Sequence, residues 1–370
     1  MTSADSTKHA PFLRNAWYMA AWSSEIGTAL FRRRLLGNPV VMYRLENGRV
    51  AALTDRCPHR FAPLSKGERI GDAIQCGYHG LTFDATGKCI RSPFADKVPN
   101  GATVKSWPVV ERDGVVWIWA GEDTAGDDRT VPNLSAVSDG SGVFPIHGHQ
   151  LMRANYEYTT DNLLDLSHIE FVHKGSFAGA GVIFAGKHTV RQEGNTVHSD
   201  WWMPNVLAPA HTFGIYERDL RTDHWLDMHW EAPATMRLEI GAVPAGAPRE
   251  QGCIVQQAHI LTPETEHTTH YFWSTTRSSP VATPEGDNFL RALMLQAFDQ
   301  EDAPIIEAAY ANLDGGEFWA QKPVFIGVDA AGTRARRVLQ AMINSERQST
   351  PPDAGSAPQS RLDPRHSHDR

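Results

Sequence analysis

The sequence predicts an α+β protein with two domains. Short strand-like segments joined by turn signals occupy the first part of the chain, and longer strand-like segments with two helical stretches follow. Between them, residues 121–132 are rich in Asp, Gly and Thr, lack periodicity and end in Pro, which is typical of a domain boundary. At 370 residues the chain is long enough for two domains of ordinary size. We expect one domain over 11–122 and a second over 123–348.

The first domain is predicted to be a small antiparallel β-domain. Asn47-Gly48 is a strong hairpin signal, because a type I′ turn needs residues that tolerate positive φ. Further turn signals occur at 84–87 and at Asp113-Gly114. The strand-like runs that these turns separate or flank cover 29–36, 40–45, 50–54 and 115–119.

Composition excludes several classes of protein. The net charge of −8 argues against a nucleic-acid partner, since phosphate binding requires a basic field. No run approaches the roughly twenty apolar residues of a membrane span, and residues 1–10 lack the apolar core of a signal peptide. We therefore expect a cytoplasmic protein without a membrane or nucleic-acid partner. The leader at 1–10 and the tail at 349–370, which is rich in Pro, Ser, Asp and Arg, are predicted to be disordered.

Four cysteines in a chain of this length do not make a disulfide framework. Two of them belong to the metal motif described next. Cys89 and Cys253 lie in strand-like, apolar segments, where a buried free thiol is the usual case. This pattern agrees with a reducing cytoplasm.

The most informative motif runs from Cys57 to His79. It reads Cys57-x-His59, sixteen intervening residues, then Cys76-x-x-His79. An ordinary zinc finger groups Cys with Cys and His with His, whereas each half here contributes one of each. That interleaving suits a two-iron two-sulfide cluster of the Rieske type, in which one iron takes both thiolates and the other takes both imidazoles.

The ligand chemistry supports a one-electron relay. Neutral imidazoles in place of two thiolates remove negative charge from one iron, so the cluster accepts an electron more readily. Gly77 and Gly80 are expected to leave backbone N–H groups open toward the sulfides, since no Cβ blocks them, and Pro58 stiffens the first loop. The alternative is a structural zinc site with mixed ligands in a binding protein.

A second histidine pair lies in the segment 161–173. Its first half is predicted to be helical, with Asp165 and His168 three apart on one side. His168 and His173 are five apart, an interval that turns a regular helix too far for both imidazoles to face one metal. The helix is therefore expected to end or loosen between them.

Two histidines and one carboxylate with open positions form the facial triad of non-haem iron oxygenases. A helix predicted over 285–313 places Asp302 in line with the apolar residues Phe298, Ile305 and Ile306, and Phe289 belongs to the same apolar pattern. A buried carboxylate needs a partner, and a cation is the natural one. Asp299 and Glu301 compete with Asp302 for this role.

From residue 12 to 347 the chain resembles an oxygenase component of the Rieske non-haem iron family, in the branch that contains the vanillate and dicamba O-demethylases. The segments that carry the likeness are 14–18 (RNAWY), 57–60 (CPHR), 76–81 (CGYHGL), 165–173, 259–265 (HILTPET) and 301–302 (ED). The resemblance implies a helix-grip second domain, in which a curved antiparallel sheet wraps against a long helix.

The resemblance also implies roles for individual residues. His168, His173 and Asp302 would hold the mononuclear iron. Asp165 would join a cluster ligand to His168 across a subunit boundary, which implies a head-to-tail homotrimer. Asn162 matches a polar residue near the iron.

The function implied is that of a terminal oxygenase that uses O₂. Electrons would come from a separate NAD(P)H-dependent reductase and/or ferredoxin, since this chain lacks a glycine-rich dinucleotide motif. Within the branch, the resemblance favours monooxygenation of an aromatic small molecule, specifically oxidative O-demethylation of a methoxy-aromatic acid. The alternatives are a ring-hydroxylating or angular dioxygenase of an aromatic carboxylate or diaryl ether, N-demethylation, and a Rieske-type electron carrier.

The substrate-binding candidates belong to the second domain. His259 matches a position that contacts a carboxylate-bearing substrate in a relative, and Leu293 stands where that relative has Trp. The remaining candidates are Trp201, Trp202, Ile215 and Trp230.

Overall fold

The structure is a computed structural model that describes residues 12–94, 96–121, 126–138, 145–174, 176, 181–209, 212, 215–276 and 283–349. The predicted disordered leader lies outside these residues. So does the predicted tail, apart from its first residue, Ser349, which is helical.

Three small antiparallel sheets form the first part of the chain. The first has the order β1-β10-β9, and the other two are β2-β3-β4 and β5-β6-β7-β8. Their strands are β1 (Trp17–Trp22), β2 (Phe31–Leu35), β3 (Asn38–Arg44), β4 (Val50–Thr54), β5 (Glu68–Ile70), β6 (Ala73–Gln75), β7 (Thr82–Phe83), β8 (Cys89–Arg91), β9 (Val109–Arg112) and β10 (Val115–Trp119).

The predicted turns lie where tight hairpins occur. Gly48 connects β3 to β4 with φ +84°. Asp113 and Gly114 connect β9 to β10, and both have positive φ, +55° and +75°. Gly87 connects β7 to β8 with φ +82°. These positions adopt the left-handed backbone that short hairpins require, which is why their sequence signal was readable.

A seven-stranded antiparallel sheet dominates the second part of the chain. Its order is β11-β17-β16-β15-β14-β13-β12. The strands are β11 (Ile146–Met152), β12 (Lys187–Glu193), β13 (Thr196–Leu207), β14 (Arg221–Glu231), β15 (Thr235–Pro244), β16 (Cys253–Pro263) and β17 (Thr269–Thr275).

Helices cover one face of this sheet, here called the inner face, so that the fold class is α+β as predicted. Ser199 marks that face, because its hydroxyl donates to the Leu164 carbonyl of α1 at 2.9 Å. The helices are α1 (Tyr156–Leu164), α2 (Ile169–Val172), α3 (Pro284–Leu295), α4 (Ala303–Ala311) and α5 (Ala330–Ser349). Among the described residues, no helix is both long and apolar enough to cross a membrane.

The helix predicted over 285–313 is interrupted. A π-helical turn, Gln296–Asp302, separates α3 from α4. This turn changes the angular spacing of the side chains along the helix. The prediction of one buried apolar stripe is therefore wrong for two residues: Phe289 is 69 % exposed and Ile305 is 53 % exposed. Asp302 itself is buried, as expected.

The C-terminal helix α5 was not predicted, and it holds α1 in place. The Arg336 guanidinium of α5 is buried and binds Asp161 through Nη2–Oδ2 (2.7 Å) and Glu157 through Nη1–Oε2 (3.0 Å). Near its other end, Glu346 accepts the backbone N–H of Arg14 at 2.8 Å. The helical spacing of Val338, Leu339, Met342 and Ile343 is the sequence signal that could have revealed it.

The first sheet packs against the opposite, outer face of the seven-stranded sheet. Trp17 and Met19 of β1 share a buried cluster with Ile260 and Phe272 of the large sheet. The Thr262 hydroxyl donates to the Met19 carbonyl at 2.7 Å. The small sheets and the large sheet therefore share buried apolar surface within one chain.

Candidate metal centres

The two loops that carry the Cys/His motif have the same backbone design. The N–H of Phe61 donates to the Cys57 carbonyl, and the N–H of Gly80 donates to the Cys76 carbonyl, each at 2.9 Å. Both donors lie four residues after their cysteine and have positive φ, +62° and +74°. The expectation that the Gly80 N–H is open toward a cluster is therefore wrong, because the loop turn already uses it.

Gly77 is needed for the approach of one loop to the neighbouring chain. A Cβ at this position would lie 2.7 Å from the Lys66 carbonyl oxygen and 3.3 Å from Cα of Gly67. These are tighter than side chains tolerate, so a larger residue would push the second loop away from the 66–67 segment.

The four side chains of the motif converge with the thiols inside and the imidazoles outside. Cys57 and Cys76 are 2 % and 3 % exposed, whereas His59 is exposed and His79 is half-buried. The two imidazole centroids are 4.5 Å apart. This order places the imidazole side of any bound group nearest the surface, where an electron could enter or leave.

Two features fit a bound metal group. Burial raises the pKa of the Cys57 thiol to about 11, so a nearby cation is needed to hold the thiolate at neutral pH. Among the described residues, none pairs with the buried Nδ1 atom of His79. An orphaned imidazole nitrogen next to two buried thiols is what a ligand set looks like without its metal.

The second histidine pair stands on a broken helix. α1 ends at Leu164, because Asp165 leaves the helical region with φ −102° and ψ +81°. A 3-10 turn, Leu166–His168, leads into the single-turn α2, and His173 is its C-cap. The first helix therefore ends before His168, and the short helix α2 ends just before His173.

His168, His173 and Asp302 form a compact group. Nε2 of His168 lies 3.4 Å from Oδ1 of Asp302, and Nε2 of His173 lies 3.4 Å from Oδ2 of the same carboxylate. One ligand atom from each residue lies within 4.8 Å of the others. Asp302 and His173 are 3 % and 4 % exposed. Of the competing acids, Asp299 is exposed.

Hydrogen bonds set the tautomer of both histidines. Nδ1 of His168 contacts the carbonyl oxygen of Asp165, and Nδ1 of His173 lies 2.7 Å from Oε2 of Glu301. Both partners only accept hydrogen bonds, so each Nδ1 carries the proton. The lone pair of each Nε2 is thereby turned toward Asp302, on the side where a metal would bind.

Glu301 lies on the Nδ1 side of His173, away from the group that His168, His173 and Asp302 form. It accepts hydrogen bonds from the Ser176 hydroxyl (2.6 Å) and the Gln296 side-chain amide (3.0 Å). Burial raises its pKa, but the bonds from Ser176, His173 and Gln296 outweigh burial and the pKa is lowered. Sequence reasoning missed Ser176 and Gln296, since neither lies in a recognisable motif.

The two imidazoles differ in their titration. Burial lowers the pKa of His168, although the Asp302 charge opposes it. Burial also acts to lower the pKa of His173, but bonding and charge from Asp302 and Glu301 win, and its pKa is raised. A cation between the three groups would take the place of that proton.

Asn162 and Asp165 flank the group. The Asn162 amide donates to Oδ1 of Asp302 at 3.3 Å. Oδ1 of Asp165 accepts from the backbone N–H (3.0 Å) and the hydroxyl (2.5 Å) of Ser167. Asp165 therefore touches His168 through its carbonyl oxygen, and its carboxylate is oriented by Ser167.

The inner face of the sheet contains three of the six predicted pocket residues, Trp201, Trp230 and His259. His259 is 2 % exposed, its Nδ1 lies 2.7 Å from the Tyr271 hydroxyl, and burial lowers its pKa to about 4. Within the described part of the chain, Nε2 of His259 and the indole Nε1 of Trp230 have no hydrogen-bond partner. Leu293 of α3 packs against the same apolar core.

Two pocket predictions do not fit this face. Trp202 lies three residues after Ser199 on β13, so its side chain is on the opposite, outer face of the sheet. There its ring stacks on Trp225, with the ring centroids 6.1 Å apart. Ile215 lies in a turn and is 46 % exposed. Trp201, by contrast, is buried on the inner face with the core.

Comparison with known proteins finds a known family domain in each part of the chain. Residues 16–108 match the Rieske [2Fe-2S] domain, and residues 152–345 match the vanillate O-demethylase oxygenase C-terminal domain. The oxygenase component of chloroacetanilide N-alkylformylase from Rhizorhabdus wittichii is 36 % identical over 90 % of this chain and 97 % of its own. The oxygenase component of dicamba O-demethylase from Stenotrophomonas maltophilia is 34 % identical over 90 % and 99 %. Dicamba monooxygenase bound to dicamba superposes with a TM-score of 0.84 at 32 % identity, over 91 % of this chain and 99 % of that one.

Proposed function

The chain belongs to the Rieske non-haem iron oxygenases, and from this premise we propose that it is a terminal oxygenase that O-demethylates a methoxy-aromatic acid. Its cofactors are a Rieske 2Fe-2S cluster and a mononuclear non-haem iron, and O₂ is the cosubstrate. The observation that carries the oxygenase activity is the assembled group of His168, His173 and Asp302, and the similarity to dicamba O-demethylase supports O-demethylation of an acid. A simple electron carrier would have no use for that group.

We assign the ligands by position. Cys57, His59, Cys76 and His79 hold the cluster, and His168, His173 and Asp302 hold the iron. When bound, the cluster supplies single electrons and the iron supplies oxygen activation.

The surrounding residues orient the ligands and the substrate. Glu301 and the Asp165 carbonyl keep both Nε2 lone pairs turned inward, and Asn162 steadies the Asp302 carboxylate. Nε2 of His259, which has no partner among the described residues, would hydrogen-bond one polar group of the substrate. Leu293 and Trp230 would pack against the aromatic ring of the substrate.

N-dealkylation of a neutral aromatic amide is the second candidate. The row of inner-face residues that crosses the sheet at His259 consists of Val197, Trp230, Met236, His259, Trp273 and Gly148. None of them is cationic, and the lowered pKa of His259 leaves its imidazole neutral at pH 7. An acid would therefore be buried without a counter-charge at this row, which costs several kcal/mol. The relative with 36 % identity is the oxygenase component of a chloroacetanilide N-alkylformylase.

The proposed partners are the proteins that would supply electrons to an oxygenase component. The relatives are oxygenase components, and we propose that a separate NAD(P)H-dependent reductase, a ferredoxin, or both deliver electrons to this chain. We also propose a homotrimer, a cytoplasmic location and a domain boundary between residues 122 and 123.

A substrate panel tests the proposal. The iron-loaded protein, with a ferredoxin, a reductase and NADH, is given methoxybenzoates, their neutral methyl esters, N-alkoxyalkyl anilides and unsubstituted aromatic acids. Formaldehyde release from the methoxybenzoates supports O-demethylation of an acid, whereas turnover only of anilides supports the second candidate. A cis-diol as the product would replace both with dioxygenation, and no oxidation in a protein with both irons would contradict the proposed activity.

A further inference from the structure

A second cluster of metal-binding side chains lies on the outer face of the seven-stranded sheet. His198 and Asp200 are two apart on β13, and His229 is the cross-strand partner of His198 on β14. Residues of one strand alternate between faces, so these side chains lie opposite Ser199, which contacts α1. The cluster is therefore separated from the iron centre by the sheet itself.

The three side chains are close enough to share one ion. One ligand atom from each lies within 4.8 Å of the others. The rings of His198 and His229 have centroids 4.3 Å apart and meet edge to face. Three ligands fixed on two paired strands need little reorganisation to close on a cation.

Two atoms of the cluster are buried without a partner. His198 is 7 % exposed, and no described residue hydrogen-bonds its Nδ1 atom. Oδ1 of Asp200 is likewise buried and unpaired within the described structure. An unpaired buried imidazole nitrogen and an unpaired buried carboxylate oxygen on one face of the same strand are costly unless a ligand satisfies both.

The surroundings orient the carboxylate and leave an entrance. Nη2 of Arg191 lies 3.1 Å from Oδ2 of Asp200, which leaves Oδ1 as the free oxygen. Such an outer partner is usual for a metal-binding carboxylate. A cavity of about 230 Å³ lies beside the cluster and is lined by Asp200 and His229, though not by His198.

We propose that His198, Asp200 and His229 bind a divalent transition metal ion of the zinc class, distinct from both iron centres. Two imidazole nitrogens and one carboxylate oxygen suit Zn²⁺ in tetrahedral coordination, with water as the fourth ligand. The ion would join β13 to β14 on the face away from the substrate. It therefore stabilises the sheet and takes no part in turnover.

The test is zinc binding to the iron-loaded protein. Equilibrium dialysis against Zn²⁺, followed by elemental analysis, should give one zinc per chain with the iron content unchanged. His198→Ala and His229→Ala should weaken zinc binding by ~10–100-fold or more. Loss of a residue that only hydrogen-bonds a metal ligand already costs that much, and these variants lose the ligand itself. Both variants should keep normal cluster absorbance and turnover. His267→Ala, which alters an exposed histidine elsewhere, is the matched control and should bind zinc normally.

A second arm separates this site from the iron centre. His173→Ala should still bind one zinc with unchanged affinity, because its change lies at the other site. Zinc that is lost in His173→Ala but retained in His229→Ala would assign the metal to the iron ligands and overturn the proposal. An absence of binding up to millimolar Zn²⁺ would also overturn it. If the alanine variants fail to fold, Asp200→Asn, which keeps the shape of the side chain, should still show the weakened affinity.

Discussion

Nδ1 of His173 lies 2.7 Å from Oε2 of Glu301, while Nε2 of the same imidazole faces Asp302 at 3.4 Å. The two neighbouring acids thus act on opposite nitrogens of one histidine. Both carboxylates lie at the end of the π-helical turn and contact His173, the C-cap of α2. One carboxylate is positioned to bind the metal, and the other orients the ligand beside it.

Glu301→Ala should weaken binding of the mononuclear iron by about 10–100-fold, because it removes the acceptor that fixes the His173 tautomer. Iron titration of the variant, with the cluster spectrum as an internal reference, measures this. Glu301→Gln keeps an acceptor oxygen and should recover part of the affinity. Asp299→Ala, a change at an exposed neighbour, should bind iron normally; equal losses in both alanine variants would argue against the orienting role.

Asp302→Ala should abolish turnover and leave the cluster colour intact. The change removes the only carboxylate that lies within reach of both Nε2 atoms among the described residues. Cluster absorbance, iron content and product formation on one preparation check this. Unchanged turnover would transfer the ligand role to another acid.

Asp165→Asn should slow electron transfer from the cluster to the iron while both metals stay bound. The backbone contact to His168 survives this change, whereas the charge of the carboxylate held by Ser167 is lost. Single-turnover reoxidation of the reduced cluster gives the rate. Ser167→Ala, which removes only one bond to that carboxylate, should slow transfer less, and a normal rate in Asp165→Asn would exclude a bridging role.

Stability should fall as the pH drops from about 6.5 toward 4. Burial lowers the folded-state pKa of His224, His259 and His270 to about 4, below their ordinary value of 6.5. Between these values the unfolded chain binds protons that the folded chain does not. Each of these histidines therefore makes its full contribution to the free energy of unfolding above pH 6.5. Below pH 6.5 that contribution falls by about 1.4 kcal/mol per pH unit. Urea unfolding at pH 7.5, 6 and 5 measures the slope, and His259→Gln should reduce it; a flat profile would contradict the prediction.

Arg336→Met should destabilise the fold by about 3–5 kcal/mol, because it leaves the carboxylates of Asp161 and Glu157 without their buried cation. The urea midpoint measures the change. Arg337→Met alters an exposed neighbour on the same helix and should have almost no effect. Equal midpoints in the two variants would show that the buried ion pair does not hold α5 to α1.

Some features could be read directly from short stretches of chain. Gly48 and Gly114 marked hairpins because a positive φ is a local requirement. The spacing of Cys57 with His59 and of Cys76 with His79 predicted one metal group, since each pair sits within a single turn. The α+β class followed from the same local patterns and is confirmed. Helix α5 was missed although its periodicity was present, and the leader and nearly all of the tail lie outside the described residues.

The sequence by itself determined the family and the fold class and predicted most of the metal-binding candidates, because ligand type and turn chemistry depend on neighbours a few positions apart. Only the tertiary structure decided how Asp302 meets residues such as Asn162, 140 positions away, and that Glu301 lies on the Nδ1 side of His173. It also decided which face each tryptophan occupies, because a one-residue change of phase in β13 moves a side chain to the other side of the sheet. Such outcomes depend on strand register and on one π-helical turn, which arise from packing between distant segments.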